Sequence, residues 1–336
     1  MNIRTMVESD LDNILALLAN QSINTVTIER FAEYLESGAY RHEWTWVADD
    51  GDRILALAVW WGTEGSDHPF AVDGLYFDQS AANEGPGPVP LWTELIRAMI
   101  STIPPAAEQP EYHIFLPNGW RDQPEVVAAL EPRLAAAAAA GLSATTERLR
   151  YEWTTEDELP PRSTRLRFEP ADDEAFLAVF RQVMEGSLDA ASARAVARIG
   201  VEGAAKEELE IYTSMPGDRD WWRLAYDASG ELVGFAIPSA NNGGPVVGYL
   251  GVLPEHRGHG HSDDLLAEIT HVLAELIQRD ELRANGIRAN GIRANGIGAD
   301  RIRADTDLTN KPMAAAFERA GYRNFAVRMV ASYPLS

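Results

Sequence analysis

Apolar and polar residues alternate over 3–6, and after Asp10 the apolar positions Leu11, Ile14, Leu15 and Leu18 fall on one face of a 3.6-residue helix. This pattern predicts a strand running into a helix. Two apolar runs, 44–48 and 54–61, flank Asp49-Asp50-Gly51-Asp52, whose turn-forming residues predict a β-hairpin. A strand at 71–77, a helix at 91–100, a strand at 112–116, an Ala-rich helix at 125–140 and a strand at 148–153 are expected next. Residues 154–163 are polar and include Pro160 and Pro161, which cannot continue a helix or a central strand, so they read as a linker.

The order then restarts. Residues 166–168 resemble 3–5, Asp173 takes the place of Asp10, and a second hairpin, 222–226 and 232–237, surrounds a turn at 227–230. A strand at 246–252, a helix at 264–278, a strand at 301–304 and a helix at 311–320 complete the second pass. Two copies of one β-α-β-β-β-α-β-α-β unit are therefore expected, 1–153 and 164–336, joined by 154–163. Separately, Arg283-Ala284-Asn285-Gly286-Ile287 recurs at 288–292 and 293–297. A five-residue Asn-Gly period fits neither helix nor strand and reads as a surface loop lengthened by duplication, with a partner-binding arm as the alternative.

Composition narrows the class. A chain of 336 residues, 46% hydrophobic and 24% charged, matches an ordinary globular protein of two domains. With no Cys, disulfides, thiolate zinc sites and cysteine nucleophiles are excluded. No basic segment followed by an apolar one opens the chain and no apolar run approaches bilayer length, so a cytoplasmic protein is expected. The excess of 51 acidic over 29 basic residues, a net charge of −22, repels nucleic acid and anionic membrane and favours cationic partners, although solubility alone explains it as well. Residues 1–155 hold 23 acidic and 9 basic residues, −14, leaving −8 for the remainder. The first half is thus the more acidic; Asp73 is its first carboxylate to test against a cationic acceptor.

The chemistry concentrates in Tyr249-Leu250-Gly251-Val252-Leu253-Pro254-Glu255-His256-Arg257-Gly258-His259-Gly260-His261-Ser262. A strand runs into a Gly-containing loop that opens a helix with the apolar stripe Leu265, Leu266, Ile269, Val272, Leu273 and Leu276. Such a loop converges backbone N–H groups on an anion, and the helix N-terminus favours negative charge, so a phosphate or pyrophosphate is the expected guest, with Arg257 adding charge at its rim. The dinucleotide fingerprint needs a third glycine, and the P-loop needs a Lys-Ser or Lys-Thr that is missing. His256, His259 and His261 lack Cys or carboxylate partners in the sequence, so no metal is expected. A plain strand-to-helix turn is the alternative.

Val-x-Pro-x-x-Arg-Gly-x-Gly at 252–260, with the small Ser262, resembles the acetyl-CoA pyrophosphate loop of the GNAT superfamily of N-acetyltransferases. Asp305-Thr306-Asp307-Leu308-Thr309-Asn310-Lys311-Pro312-Met313, then Phe317 and Gly321-Tyr322, continue the likeness. It covers 165–332 by motif and 1–153 by element order alone. The implied fold is α/β, two tandem GNAT-type domains, each a mixed, mostly antiparallel sheet flanked by helices.

The resemblance implies acyl transfer from acetyl-CoA to an amine, with the pantetheine pairing along 250–252, so that Leu250 and Val252 contact it, and the pyrophosphate on the N–H groups of Arg257, Gly258, His259, Gly260, His261 and Ser262. Asn310 would approach the pantetheine arm, although it also reads as a helix N-cap before Pro312, and Phe317 would flank the cofactor sulfur. Many relatives carry Tyr at the place of Phe317, and a phenylalanine donates no proton. The strand 246–252 holds no carboxylate, leaving Tyr249 and Tyr322 as catalytic candidates beside direct attack by a neutral amine. Residues 78–90, without Arg or Lys and rich in proline, predict no cofactor in the first domain. A small cationic amine, aminoglycoside-like antibiotics included, is the expected acceptor; a non-catalytic acyl-CoA or ligand sensor and a peptide or protein N-acetyltransferase are the alternatives.

Overall fold

A computed structural model describes residues 1–19, 23, 26–63, 65–81, 85–104, 109–241, 243–279 and 300–334. The Arg-Ala-Asn-Gly-Ile repeat lies outside the described residues. The chain divides into two units, Met1–Glu147 with Ala326–Ser336, and Arg148–Phe325.

In the first unit, β1 (Asn2–Thr5), β2 (Thr45–Asp49), β3 (Ile54–Trp61) and β4 (Ala71–Phe77) pair antiparallel in chain order. β5 (Glu111–Pro117) lies parallel to β4, and residues 326–331 of β12 (Arg323–Ser332) pair antiparallel with β5. The near-continuous apolar runs of β3 and β4 suit central strands covered on both faces, and both are buried almost throughout. The accompanying helices are α1 (Leu11–Leu18), α2 (Ile28–Glu36), α3 (Pro88–Ile100) and α4 (Pro124–Ala139). Thr27 caps α2 by accepting the Arg30 N–H, while α3 and α4 start on prolines whose missing N–H costs nothing in a first turn. Ile14 and Leu18 of the α1 stripe are buried with Phe31, Tyr40, Val47, Leu57 and Val59.

The second unit repeats this order. β7 (Arg167–Glu169), β8 (Arg223–Tyr226), β9 (Leu232–Asn241) and β10 (Gly244–Val252) pair antiparallel, and β11 (Arg301–Asp307) lies parallel to β10. Residues 148–154 of β6 (Ala144–Thr154) pair antiparallel with β11. Its helices are α5 (Asp173–Met184), α6 (Ala190–Ser214), α7 (His261–Gln278) and α8 (Lys311–Arg319). The core is centred on Phe176, Phe180, Trp222 and Phe235, with the Phe180 and Phe235 rings 4.9 Å apart. The chain is α/β, with a mixed, mostly antiparallel sheet in each unit.

The division differs from the one at 154–163 in the sequence. It falls inside β6, because that strand belongs to the sheet with which it pairs: Arg148 stands opposite Asp307, Arg150 opposite Asp305 and Glu152 opposite Arg303 on β11. Opposite charges facing across a ladder favour this partner and register. Tyr151 and Trp153 of the same strand are buried in the second unit's core. By the same logic most of β12 returns to the first unit.

Candidate active site

β10 and β11 share a single ladder pair, Val246 with Arg303, and then part. On its other side β10 continues with β9 through a bulge at Gly248 to the pair Val252–Gly234. The Leu253 N–H meets the Val233 carbonyl at 2.9 Å, which sets the antiparallel alternation. Gly251 exchanges its bonds with β9, and Leu250 and Val252 turn theirs outward, toward the side that β11 has left. Among the described residues, the Val252 carbonyl is the one outward group that is used, accepting Arg257 Nε at 3.1 Å. A strand edge with free donors and acceptors invites an extended partner.

That edge leads into the loop before α7. Gly258 and Gly260 have φ of 82° and 74°, left-handed values that Cβ-bearing residues avoid. Gly260 is the N-cap of α7 and supplies no capping side chain. Among the described residues, the N–H groups of Gly258, His259, Gly260, His261 and Ser262 donate to no protein acceptor; the Asp263 N–H is the first to do so, to the Gly260 carbonyl at 3.1 Å. Five successive free donors at the positive end of an 18-residue helix make an anion cradle. Its nearby carboxylates are neutralised: Asp264 by Arg165 at 2.6 Å and Asp263 by Arg319 at 2.7 Å.

Edge and cradle open into one cleft of about 580 Å³, lined by β10, the loop, the start of α8 and the face of α6 that carries Glu208, Ile211 and Tyr212. The Tyr212 hydroxyl donates to the Gly248 carbonyl at 2.8 Å, fixing α6 to the bulge. Burial raises the pKa of Glu208, with Asp189 and Glu207 adding to it and Arg148 opposing, to about 7. Asp189 accepts the Ser192 N–H at 2.8 Å and pairs with Arg148 at 3.4 Å; Asp305 pairs with Arg150 at 3.4 Å.

Leu250, Val252, Arg257, Gly258, Gly260, His261, Ser262, Asn310, Phe317 and Tyr249 all line this cleft, and His259 lies in the loop between them. Three of the expected site residues, Arg257, Tyr322 and Tyr249, have side chains with definite partners. The Arg257 guanidinium does not stand free at the rim: besides Val252 it donates to the carbonyls of Glu185 and Val183, both at 2.8 Å, tying the loop to the end of α5. Tyr322 is outside the cleft, its hydroxyl 2.8 Å from Thr270 Oγ1 in the core, where burial raises its pKa. Tyr249 stacks on Tyr212 at 6.0 Å, with its hydroxyl buried toward Ser192 and its pKa raised by that burial. Phe317 is buried and stacks on Tyr151 of β6 at 5.1 Å. Asn310 caps α8 through the Met313 N–H at 3.4 Å while still facing the cleft. His261, between His256 and His259 at ring distances of 6.3 and 6.2 Å, is held below its ordinary pKa by burial and then Arg165.

Glu208 was missed in the sequence because α6 was. Gly200, at φ 72°, interrupts the helix, and Gly203 follows. The usable signal was Glu208 with Ile211 and Tyr212 at i+3 and i+4, a polar group on an apolar helix face.

No protein-family model and no curated relative matches the sequence. Solved structures do match. A GCN5-related N-acetyltransferase from Sphaerobacter thermophilus aligns over 98% of this chain and 94% of its own, at 15% identity and a TM-score of 0.56. The GCN5-related glucosamine N-acetyltransferase region of a fungal multi-domain β-N-acetylglucosaminidase aligns over 98% of this chain and 38% of its own, at 11% identity and a TM-score of 0.51. The chain has the GNAT fold.

The first GNAT-type unit treats the corresponding edge differently. β4 also leaves its parallel neighbour after two pairs, Ala71–Glu111 and Val72–Tyr112. There Arg133 of α4, itself buried, donates to the Leu75 carbonyl at 2.9 Å, and the buried Tyr112 hydroxyl meets Arg133 and the Leu75 backbone. Aligned on the bulges of β4 and β10, Leu75 corresponds to Leu250. Side chains of the protein thus fill in the first unit what stays open in the second. Asp73, at the β4 bulge, is buried and accepts the Tyr40 hydroxyl, so it is committed inside its own unit.

Proposed function

We propose that the second unit binds an acyl-CoA, acetyl-CoA in the simplest case, and transfers its acyl group to an amine. The observation that carries this reading is the continuity of the open Leu250–Val252 edge with the uncapped N–H cradle of Gly258 to Ser262. An amide-bearing arm ending in a pyrophosphate matches that donor set, and the thioester supplies a carbonyl activated toward amines. Leu250 and Val252 would hold the arm, the loop N–H groups the pyrophosphate, and Phe317 an apolar wall beside the sulfur. The acceptor we favour is a small cationic amine: Asp189, Glu208 and Asp305 line the cleft, and the chain carries −22. Aminoglycoside-like polyamines are the first to screen. The reading is of a cytoplasmic enzyme, and no described helix is long and apolar enough to cross a membrane.

Calorimetric titration with acetyl-CoA tests it. Gly260→Glu puts a strained, negatively charged residue into the cradle, and its affinity is expected to fall at least a hundredfold; equal affinity in wild type and variant overturns the assignment. A second reading, an acyl-CoA sensor without turnover, is favoured by Phe317, which has no proton for a departing thiolate. Thiol detection of CoA release with amines present separates the two.

A further inference from the structure

We propose that Glu208 is the general base that takes the proton from the acceptor's ammonium group, a role that rests on the acyltransferase reading. Among the described residues, three carboxylates line the cleft. Asp189 accepts the N–H and hydroxyl of Ser192 and is paired with Arg148, and Asp305 is paired with Arg150. Glu208 has no hydrogen-bond donor among the described residues. A carboxylate already neutralised by cations and N–H groups is a poor proton acceptor; one with free oxygens on a cleft wall is not.

The position is fixed. Glu208 lies one helical turn before Tyr212, whose hydroxyl bond to Gly248 pins this face of α6 against the β10 bulge. The charged and titratable groups around it are Asp189 and Glu207, which raise its proton affinity, Arg148 of β6, which lowers it, and the hydroxyls of Tyr212 and Tyr249. Burial is the largest cause of a pKa of about 7. The magnitude matters for the chemistry. A primary ammonium loses its proton near pH 10, so transfer to an ordinary glutamate runs about a millionfold uphill, and to this one about a thousandfold. Near neutral pH roughly half the enzyme still carries the base form.

The step balances. The ammonium proton passes to a Glu208 carboxylate oxygen. The freed amine forms the C–N bond to the acyl carbon as the C–S bond breaks, and the nitrogen's second proton ends on the departing sulfur. Glu208 then releases its proton to solvent through the cleft mouth. The sum is ammonium plus acyl-CoA giving amide, CoA thiol and one proton.

The test uses the full chain and its Glu208→Gln variant, with acetyl-CoA as donor and spermidine, kanamycin and a lysine-bearing peptide as acceptor probes. Carbon-13 NMR of glutamate-labelled protein is expected to reveal one carboxyl titrating near pH 7 that is absent from Glu208→Gln. In wild type, kcat/KM for the acceptor is expected to rise tenfold per pH unit up to a break near 7; the variant is expected to lose that break and about 10²–10³-fold in rate while binding acetyl-CoA unchanged. A Glu208 signal at an ordinary carboxylate pH, or a variant that keeps both break and rate, overturns the role of Glu208 alone. Failure of wild type to bind acetyl-CoA, or binding without turnover of any probe, overturns the acyltransferase reading and this role with it.

Discussion

Arg148 of β6 lies 3.2 Å from Asp307 of β11, its partner directly across the ladder, and the Asp307 side chain is withdrawn from solvent. Asp307 also accepts the Ala190 N–H at 2.7 Å, so one carboxylate joins β6, β11 and the start of α6. Removing Arg148 takes its cation from the buried Asp307 carboxylate, whereas removing Asp307 leaves Arg148 paired with Asp189. Arg148→Met is expected to destabilise the chain by about 3 kcal/mol and Arg148→Met with Asp307→Asn by less than either single change predicts, measured by urea unfolding. Strict additivity would mean that the pair is not coupled.

A fragment of residues 160–336 lacks β6. It would expose the edge of β11 and remove Tyr151 and Trp153, whose burial contributes about 2–3 kcal/mol each. We expect such a fragment to lack a cooperative thermal transition by circular dichroism. A sharp melt near that of the full chain would show β6 to be dispensable.

Glu208 makes stability depend on pH. Its folded pKa of about 7 lies above the ordinary glutamate value of 4.5, so the folded state holds a proton that the unfolded chain has lost between those limits. The stabilisation is fully present below about 4.5 and is lost as pH rises through about 7. The shift corresponds to up to about 3 kcal/mol, so Glu208→Gln is expected to unfold at higher urea than wild type at pH 8 and to lose that advantage at pH 4.5. An advantage equal at both pH values would contradict the linkage.

Arg257 holds the cradle most closely by the carbonyls of Val252, Glu185 and Val183, with Gly186 at 3.5 Å. Lysine cannot reproduce a planar fork that reaches all three. Arg257→Lys is expected to cost about 2–3 kcal/mol of stability and to weaken acetyl-CoA binding through a disordered loop. Thermal melts and calorimetry check both; unchanged affinity would detach the clamp from the cradle.

In the first unit Arg133 blocks the edge that is open in the second, so calorimetry is expected to count one acetyl-CoA per chain. Arg133→Met leaves the Leu75 carbonyl unpaired and is expected to cost about 1–3 kcal/mol, with no second equivalent of ligand, because residues 78–90 supply no cationic side chain. Two equivalents in wild type would overturn the assignment of the first unit.

Local chemistry made much of this protein legible. The hairpins at 45–61 and 223–241, the central strands and the apolar stripe of α7 follow from periodicity, and Gly258 and Gly260 mark the left-handed turns because few other residues adopt them. The same residues pointed to an anion at the N-terminus of α7. What the sequence could not decide is non-local. The alternation of Arg148, Arg150 and Glu152 acquires meaning only opposite Asp307, Asp305 and Arg303, more than a hundred residues away, so the destination of β6 depends on register and not on the prolines that follow it. Glu208 is an unremarkable helix glutamate until the fold half-buries it near Asp189, with no hydrogen-bond donor among the described residues, since a proton affinity is set by surroundings. Arg257, read as a charge awaiting phosphate, became a clamp because the end of α5 presents carbonyls to it.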